Sequence, residues 1–594
     1  MTGIAGGTVD GAQLGRMVDA LEHEAWYSAD RFEAEGYGLG ARHHGERDPH
    51  GHAFWTDGRK AGAIDGAITN RAELGWDTAT IFERLLDAPE RTLEALEGPF
   101  TIACLDASRD RILLGMDKIG CRTPFYSTEN GFLFGSGLGP LLQMIDDPVL
   151  DEQGINDLLL MGHMWSDTTL LQGVKALHPA TVVEYRDGEL TERRYWHPEY
   201  EPARPTDQYL HELTTAFQRA VDRTARSVSG DVGLWLSGGL DSRATVNELA
   251  RSMRNGDGDG SLVTYTYDAN PGGGVNPRLA GAVAEALELP NEVVPLSPDR
   301  FLPVLEKAVD VSDGMVKWNT LLNLTAVFNI ERTDPDVVME GLEGAVVGHH
   351  LLRYHLTEPS SLVQSMYRSE AALTTAEVDD LLEVSVDPLG SFRKEVDRID
   401  ECSFEKAVVD AHFQNYYSRL AHASNTVPRS QVGTRVPYAD GDFLSRAVRL
   451  PVSWRMGVLP FSDGELMFGV VKPKIEMIRA LNTDLAEIPY ERSRLKPTYP
   501  YPLHVAGFYA STALEQLRSN PTYGGKSMTG EWYRSHDGLR ETLNGLLDDA
   551  CDRPFFNPDA IREYQQRTLR GEGSEMSAIS AITTIELWLQ RHLD

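Results

Sequence analysis

Val232-Gly233-Leu234-Trp235-Leu236-Ser237-Gly238-Gly239-Leu240-Asp241-Ser242-Arg243 is the stretch on which the reading of this chain turns. An apolar run stops abruptly at Ser-Gly-Gly, and a helical pattern runs on from Ala244 to Met253. That order spells a buried strand, a tight turn and a helix. Two glycines let the backbone approach a ligand closely. Ser237, Ser242 and the N–H groups of the turn can bond phosphate oxygens at the positive end of the helix. Asp241 can hold the cation that travels with a polyphosphate.

The string Ser-Gly-Gly-Leu-Asp-Ser after a strand resembles the PP-loop of the N-type ATP pyrophosphatases. Leu236, Ser237, Gly238, Gly239, Asp241 and Ser242 are therefore the expected ATP and pyrophosphate contacts, with Asp241 on Mg2+. The pattern around the motif alternates. A helix is predicted over Tyr209 to Val228, strands over Ser261 to Tyr267, Asn291 to Leu296 and Asp336 to Met339, and a helix over Arg278 to Leu287. Such alternation builds a parallel sheet with helices on both faces. Ligands bind at the carboxyl ends of its strands. Thr264 to Asp268 is then the expected adenine and ribose neighbourhood, represented by Thr266, and Gly341 lies at the end of the fourth strand. Pro271-Gly272-Gly273-Gly274 is read as a connecting loop, since no phosphate-type helix start follows it.

The first third has a different texture. Short strands are predicted at Gly62 to Ile68, Phe100 to Leu105, Arg111 to Met116, Pro124 to Ser127 and Gly131 to Gly135, with helices over Thr78 to Leu86 and Arg91 to Leu96. This is an α+β layered pattern. Gly66-Ala67-Ile68-Thr69-Asn70 with Glu73-Leu74, Leu96-Glu97-Gly98-Pro99-Phe100, the run Asp117 to Tyr126, and Phe134-Gly135-Ser136 resemble successive segments of the asparagine synthetases. Leu177-His178-Pro179-Ala180 and Arg194-Tyr195-Trp196 resemble their domain junction. The resemblance implies an Ntn-type glutamine amidotransferase domain at residues 1–200 and an asparagine-synthase-like ATP pyrophosphatase domain at residues 205–594.

Two departures bear on the first domain. The family's glutaminase uses an N-terminal cysteine as nucleophile, with its own α-amino group as base. Here Thr2 stands at that position. The family's oxyanion Asn-Gly is Asp65-Gly66, and a carboxylate there repels the charge it should stabilise. The expectation is a degenerate glutaminase site formed by Thr2, Asp65 and Gly66. A Thr2-dependent active amidotransferase is the alternative.

The synthetase half departs too. The family's Ser-Gly-Glu-Gly-Ser-Asp-Glu, which carries a magnesium ligand and a catalytic glutamate, corresponds to the segment after Met339, where the acidic pair falls on Ala345 and Val346. Glu340 and Glu343 can supply a carboxylate there or be solvated loop acids; Glu343 is the candidate carried forward. His349 and His350 can bind phosphate or metal or, as such pairs more often do, cap or start a helix; two adjacent histidines lack the usual zinc ligand set. Arg435-Val436-Pro437-Tyr438-Ala439-Asp440 resembles a family segment that walls the synthetase site. It offers Arg435 as an anion anchor and Asp440 as a supporting acid. By resemblance, the loop Ile488 to Pro497 carries the catalytic lysine. Lys496 is the first candidate and Arg494 the second, while Lys472 and Lys474, at a helix start, rank lower. Either loop cation also has a plain reading as an exposed charge.

Bulk properties narrow the class. The 594 residues carry 89 acidic and 56 basic side chains, a formal net charge of -33, and eleven of the basic residues are lysines. An acidic, lysine-poor surface disfavours nucleic acid and anionic membranes. It suits concentrated salt, so a halophilic-type protein whose stability rises with added salt is expected. Cys104, Cys121, Cys402 and Cys551 lack metal spacing and suit a reducing cytoplasm. No apolar run approaches the roughly 18 residues a membrane helix needs, and the start of the sequence lacks a signal-peptide pattern.

The fold expected is α/β: an Ntn-type α+β sandwich, then a PP-loop parallel-sheet domain with C-terminal helices. The activity expected is an ATP- and Mg2+-dependent ligase that activates a small-molecule or peptide carboxylate as an acyl-adenylate for attack by an amine or ammonia. Homodimer assembly is left open. A nucleotide-binding scaffold without catalysis is the second reading. The family's relatives without the N-terminal cysteine include β-lactam synthetases and lasso-peptide cyclases. The resemblance therefore also admits a specialised ligase or cyclase.

Overall fold

The computed structural model describes residues 2–204, 206–256, 260–268, 275–330, 335–341, 347–348, 361–400, 403–451, 454, 457–458, 467–517, 528–572 and 576–594. The first domain contains β1 (Gly3–Gly7), β2 (Ser28–Ala34), β3 (Tyr37–His43), β4 (His52–Asp57), β5 (Lys60–Gly66), β6 (Phe100–Asp106), β7 (Arg111–Met116), β8 (Phe125–Ser127), β9 (Leu133–Gly135), β10 (Lys175–Ala176), β11 (Thr181–Arg186) and β12 (Glu189–Arg194). They form two six-stranded sheets, ordered β10-β8-β9-β1-β3-β2 and β12-β11-β7-β6-β5-β4. Neighbouring strands are antiparallel in both.

Ile4, Leu39, Ala63, Leu105, Leu114, Phe132, Phe134 and Val183 fill the space between the sheets. β1 lies inside the first sheet, between β3 and β9, although its sequence is Gly-Ile-Ala-Gly-Gly. Glycine is usually depleted in strands. Here it permits close approach: a Cβ on Gly6 would stand 2.3 Å from the Gly38 carbonyl oxygen. Helix α1 (Gly11–Asp19) opens with a capping box between Asp10 and Gln13. α2 (Thr78–Asp87), capped by Asp77, and α3 (Pro89–Ala95) cover the outer face of the second sheet through Phe82, Leu85 and Leu93.

The second domain begins with α4 (Asp207–Arg226), capped by Thr206. Then come β13 (Val232–Trp235), α5 (Leu240–Arg254), β14 (Leu262–Asp268), α6 (Val275–Ala286), β15 (Asn291–Pro295), β16 (Val337–Met339) and β17 (Gly433–Arg435). The sheet order is β15-β14-β13-β16-β17, and every neighbouring pair is parallel. The chain therefore runs outward from β13 through β14 to β15, then continues on the other side of β13. That reversal makes the carboxyl end of β13 a topological switch point, where crevices open in such sheets. The Ser237–Ser242 turn sits there.

α7 (Gly441–Ala447), α8 (Lys472–Leu481) and α9 (Tyr501–Leu517) follow. α10 (Asp537–Ala550), α11 (Pro558–Arg570) and α12 (Met576–His592) close the chain, matching the helical tail expected from the sequence. One apolar cluster runs from Ala5 and Leu14 of the first domain through Trp165 to Trp318 and Trp588. The two domains thus share buried contacts rather than a bare tether. Among the described residues, no helix is long and apolar enough to cross a membrane.

Candidate active site

The PP-loop turn is held by its own side chains. Ser237 Oγ and Ser242 Oγ lie 2.9 Å apart, and the Ser237 N–H donates to Ser242 Oγ at 3.1 Å. The Gly239 N–H donates to Ser237 Oγ at 3.2 Å, and the Gly238 N–H to Asn276 Oδ1 of α6 at 2.6 Å. Leu236, buried before the turn, pairs its N–H with the Tyr265 carbonyl at 2.7 Å and receives the Thr266 hydroxyl on its own carbonyl at 3.0 Å. Thr266 is thereby committed to the sheet, where it also bonds Asn291 Oδ1 at 3.1 Å. Asp241 lies in the first turn of α5, at the positive end of the helix dipole.

The cation that reaches this turn is Lys474, on the first turn of α8. Its Nζ lies 2.5 Å from Asp241 Oδ2. Burial pulls the Lys474 ammonium below the ordinary lysine range, and the Asp241 carboxylate opposes that pull. Lys496, first in the sequence ranking, instead forms an exposed ion pair with Glu487 at 2.8 Å. Arg494 is exposed on the same loop, with a left-handed φ of 59° and its N–H on the Tyr490 carbonyl at 2.8 Å.

Arg243 ties that loop to the turn. Its guanidinium is fully buried and donates to the carbonyls of Leu485 (3.1 Å), Ile488 (2.8 Å), Pro489 (3.0 Å) and Gly238 (3.3 Å). The arrangement brings Glu491 over the two glycines, a placement the sequence reading did not anticipate. A Cβ on Gly238 would meet Glu491 Oε2 at 3.2 Å, and one on Gly239 would meet Oε1 at 3.5 Å.

At the exit of β16, Glu340 is buried, and its N–H donates to the Arg435 carbonyl at 3.0 Å. Gly341 follows with open space around it, since a Cβ there would meet nothing within 4 Å. Glu343, Ala345, Val346, His349 and His350 lie outside the described residues, as does the Pro271 to Gly274 run. Arg435 does bind an anion: Asp48 of the first domain, by a buried two-pronged pair at 2.6 and 2.9 Å. Asp440 caps α7 through the Phe443 N–H at 3.2 Å and accepts Arg223 at 2.7 Å.

The corresponding residues of the first domain are buried. Asp65 is buried against Arg122 at 2.9 Å. The Gly66 N–H donates to the Gly51 carbonyl at 2.8 Å, with φ at 111°. Thr2 is buried. Burial takes His44 down to about 4, so it stands neutral beside this cluster. Glu97, beside Gly98, bonds Lys118 at 2.6 Å and the Gly441 N–H of the second domain at 2.6 Å. Asp65 and Glu97 are thus engaged in buried pairs, and Glu97 links the two domains.

An amidotransferase-type sandwich followed by a PP-loop sheet, joined by buried pairs, defines a two-domain class. A family model described as a glutamine amidotransferase domain matches residues 70–196, and one described as asparagine synthase matches residues 212–458. Asparagine synthetase (glutamine-hydrolyzing) 3 of Bacillus subtilis (strain 168) is 28% identical over 197 residues, covering 32% of this chain and 32% of that protein. The match thus spans about a third of that relative's length. Among solved structures, a B. subtilis glutamine phosphoribosylpyrophosphate amidotransferase complexed with ADP and GMP covers 50% of this chain and 91% of its own, at 9% identity and a TM-score of 0.25. A structure described as the allosteric regulatory enzyme of purine biosynthesis covers 50% and 81%, at 10% identity and a TM-score of 0.26. Residues 212–458 are thus similar to asparagine synthase domains and residues 70–196 to glutamine amidotransferase domains.

Proposed function

We propose that this protein is an ATP-dependent, AMP-forming amide ligase of the asparagine synthase type. A carboxylate oxygen of the substrate attacks the α-phosphorus of ATP. The bond between the α-phosphorus and its bridging oxygen breaks, and pyrophosphate leaves. An amine or ammonia then attacks the acyl carbon, AMP departs, and the nitrogen loses a proton. The observation that carries this reading is the Ser237–Ser242 turn at the sheet's switch point, where Lys474 Nζ lies 2.5 Å from Asp241 Oδ2.

The turn N–H groups and the hydroxyls of Ser237 and Ser242 would receive pyrophosphate oxygens once Asn276 and the serines release them. Lys474 would face charge growing on the leaving pyrophosphate, which is electrostatic catalysis. Asp241 fits Mg2+: a hard carboxylate beside a phosphate-binding turn suits an ion that also takes phosphate oxygens. Bound there, the ion would offset phosphate charge. Residues 1–200 are read as the amidotransferase-like unit and 205–594 as the ligase unit. The paired Asp65 and the occupied Gly66 N–H favour a first domain that does not hydrolyse glutamine. A cytoplasmic setting completes the proposal.

The test is ATP–pyrophosphate exchange across a panel of carboxylic acids. Exchange with any acid, lost in Asp241→Ala, supports the ligase. Nucleotide binding without exchange across the whole panel supports a scaffold.

A further inference from the structure

The geometry points to Glu491 as a second carboxylate ligand, with Asp241, for the divalent cation that accompanies ATP; this rests on the ATP reading above. Glu491 does not lie there by accident of a loose loop. Arg243 holds the carbonyls of Leu485, Ile488 and Pro489 with one guanidinium and takes the Gly238 carbonyl with the same group. Two residues after Pro489, the chain sets the Glu491 carboxylate against Gly238 and Gly239, with oxygens 3.2 and 3.5 Å from where their Cβ atoms would be. Phosphate oxygens bound by this turn would lie on that same surface.

Among the described residues, Glu491 forms no hydrogen bond or ion pair within bonding distance. Burial raises its carboxyl above the ordinary range, the charges of Arg492, Arg494 and Arg243 oppose the rise, and Asp241 adds to it. A carboxylate held close to a phosphate-binding turn without a donor is costly. Two carboxylates bordering one polyphosphate seat repel each other and the phosphates unless a cation joins them. The local cations are already engaged. Lys474 is on Asp241, both terminal nitrogens of Arg243 are on carbonyls, and Arg492 donates to the Gly469 carbonyl. A small divalent ion takes one or two carboxylates together with substrate phosphate oxygens. Asp241, Glu491 and the phosphates of ATP make that donor set, all of it hard oxygen.

The test uses the full chain, Mn2+ as the metal probe and α,β-methylene ATP as an uncleavable nucleotide. Free Mn2+ is followed by electron paramagnetic resonance, and nucleotide affinity is measured calorimetrically with and without metal. Glu491→Gln is expected to weaken Mn2+ binding in the ternary complex by at least about tenfold, as losing a charged ligand does. Nucleotide affinity without metal is expected to stay level or improve. Glu491→Asp should recover part of the lost metal affinity, which a folding defect would not allow. Unchanged Mn2+ affinity in Glu491→Gln would overturn the proposal, and tighter metal-free nucleotide binding beside it would make Glu491 a plug on the phosphate seat. A wild-type protein that binds no nucleotide under either condition overturns the ATP reading, and this inference with it.

Discussion

Two glycine turns in this molecule are both filled, but by different partners. At Asp65-Gly66 the glycine N–H is held by a backbone carbonyl, Gly51 O, and the carboxylate by a buried arginine. At Ser237–Gly239 the N–H groups are held by side-chain oxygens of Asn276, Ser237 and Ser242. A side-chain acceptor leaves by a rotamer change on the picosecond-to-nanosecond scale where it has room. A backbone acceptor between two strands leaves only if the sheet opens. The first turn has become part of the framework, whereas the second keeps donors a ligand can claim.

The largest effect expected from this contrast lies in the framework. Asp48→Asn leaves Arg435 buried without its anion and should cost about 3–5 kcal/mol, read from urea denaturation. Burial alone would raise the Asp48 carboxyl, but the charge and hydrogen bonds of Arg435 hold it below the ordinary aspartate range. For a depressed carboxylate, the stabilisation is complete above its unfolded value and is lost as pH falls through the folded one. The gap between wild type and Asp48→Asn should therefore stay constant above about pH 4 and close in stronger acid. A gap that widened in acid would contradict this pairing.

Next comes the ligand-accessible turn. Lys474→Met should lower pyrophosphate exchange by about 10²–10³-fold, the usual loss when one charge-stabilising donor is removed. Lys496→Met removes an exposed, solvent-screened pair and should change exchange only a few-fold. The reverse order would return the catalytic role to the loop. A smaller effect is expected at Asn276. Asn276→Ala frees the Gly238 N–H and should tighten pyrophosphate binding by up to about tenfold, the worth of one net hydrogen bond. The smallest is at the Asp65-Gly66 turn: Thr2→Ala should leave glutamate release from glutamine at background, the level expected of the wild type as well. Release above background in the wild type that vanished in this variant would reopen the first domain as an active amidotransferase.

The sequence made much of this legible, for physical reasons that differ by region. β13, β14 and β16 announce themselves as short β-branched and aromatic runs bounded by turn residues, and the strand pattern from Arg111 to Met116 coincides with β7. β5 begins and ends two residues earlier than its apolar pattern suggests, because Asp65 and Gly66 remain in register with Thr101 and Phe100. β1 was hidden, since Gly-Ile-Ala-Gly-Gly carries no strand propensity, and its glycines answer to neighbours that periodicity cannot reveal. The repulsive charge at Asp65 was readable, but its partner Arg122 was not, being 57 positions later. The helix start expected at Lys472 is where α8 begins. Which of three lysines faces Asp241 is a matter of tertiary placement, and motif rank pointed elsewhere. Glu491 was one acid in a short charged run, with no pattern to set it apart.

Arg243 gives the motif a reach that its own letters do not suggest. One planar fork reads the carbonyls of a segment 245 positions away while holding the turn from behind. Lysine, a single point of charge with no fork, cannot copy that geometry. Any sequence that keeps Ser-Gly-Gly-Leu-Asp-Ser but exchanges this arginine would retain the recognisable signature and lose the register of the wall opposite it. In this protein the proposed nucleotide seat is a composite of two distant strings, and the residue that joins them comes just after the point where the motif is usually taken to end.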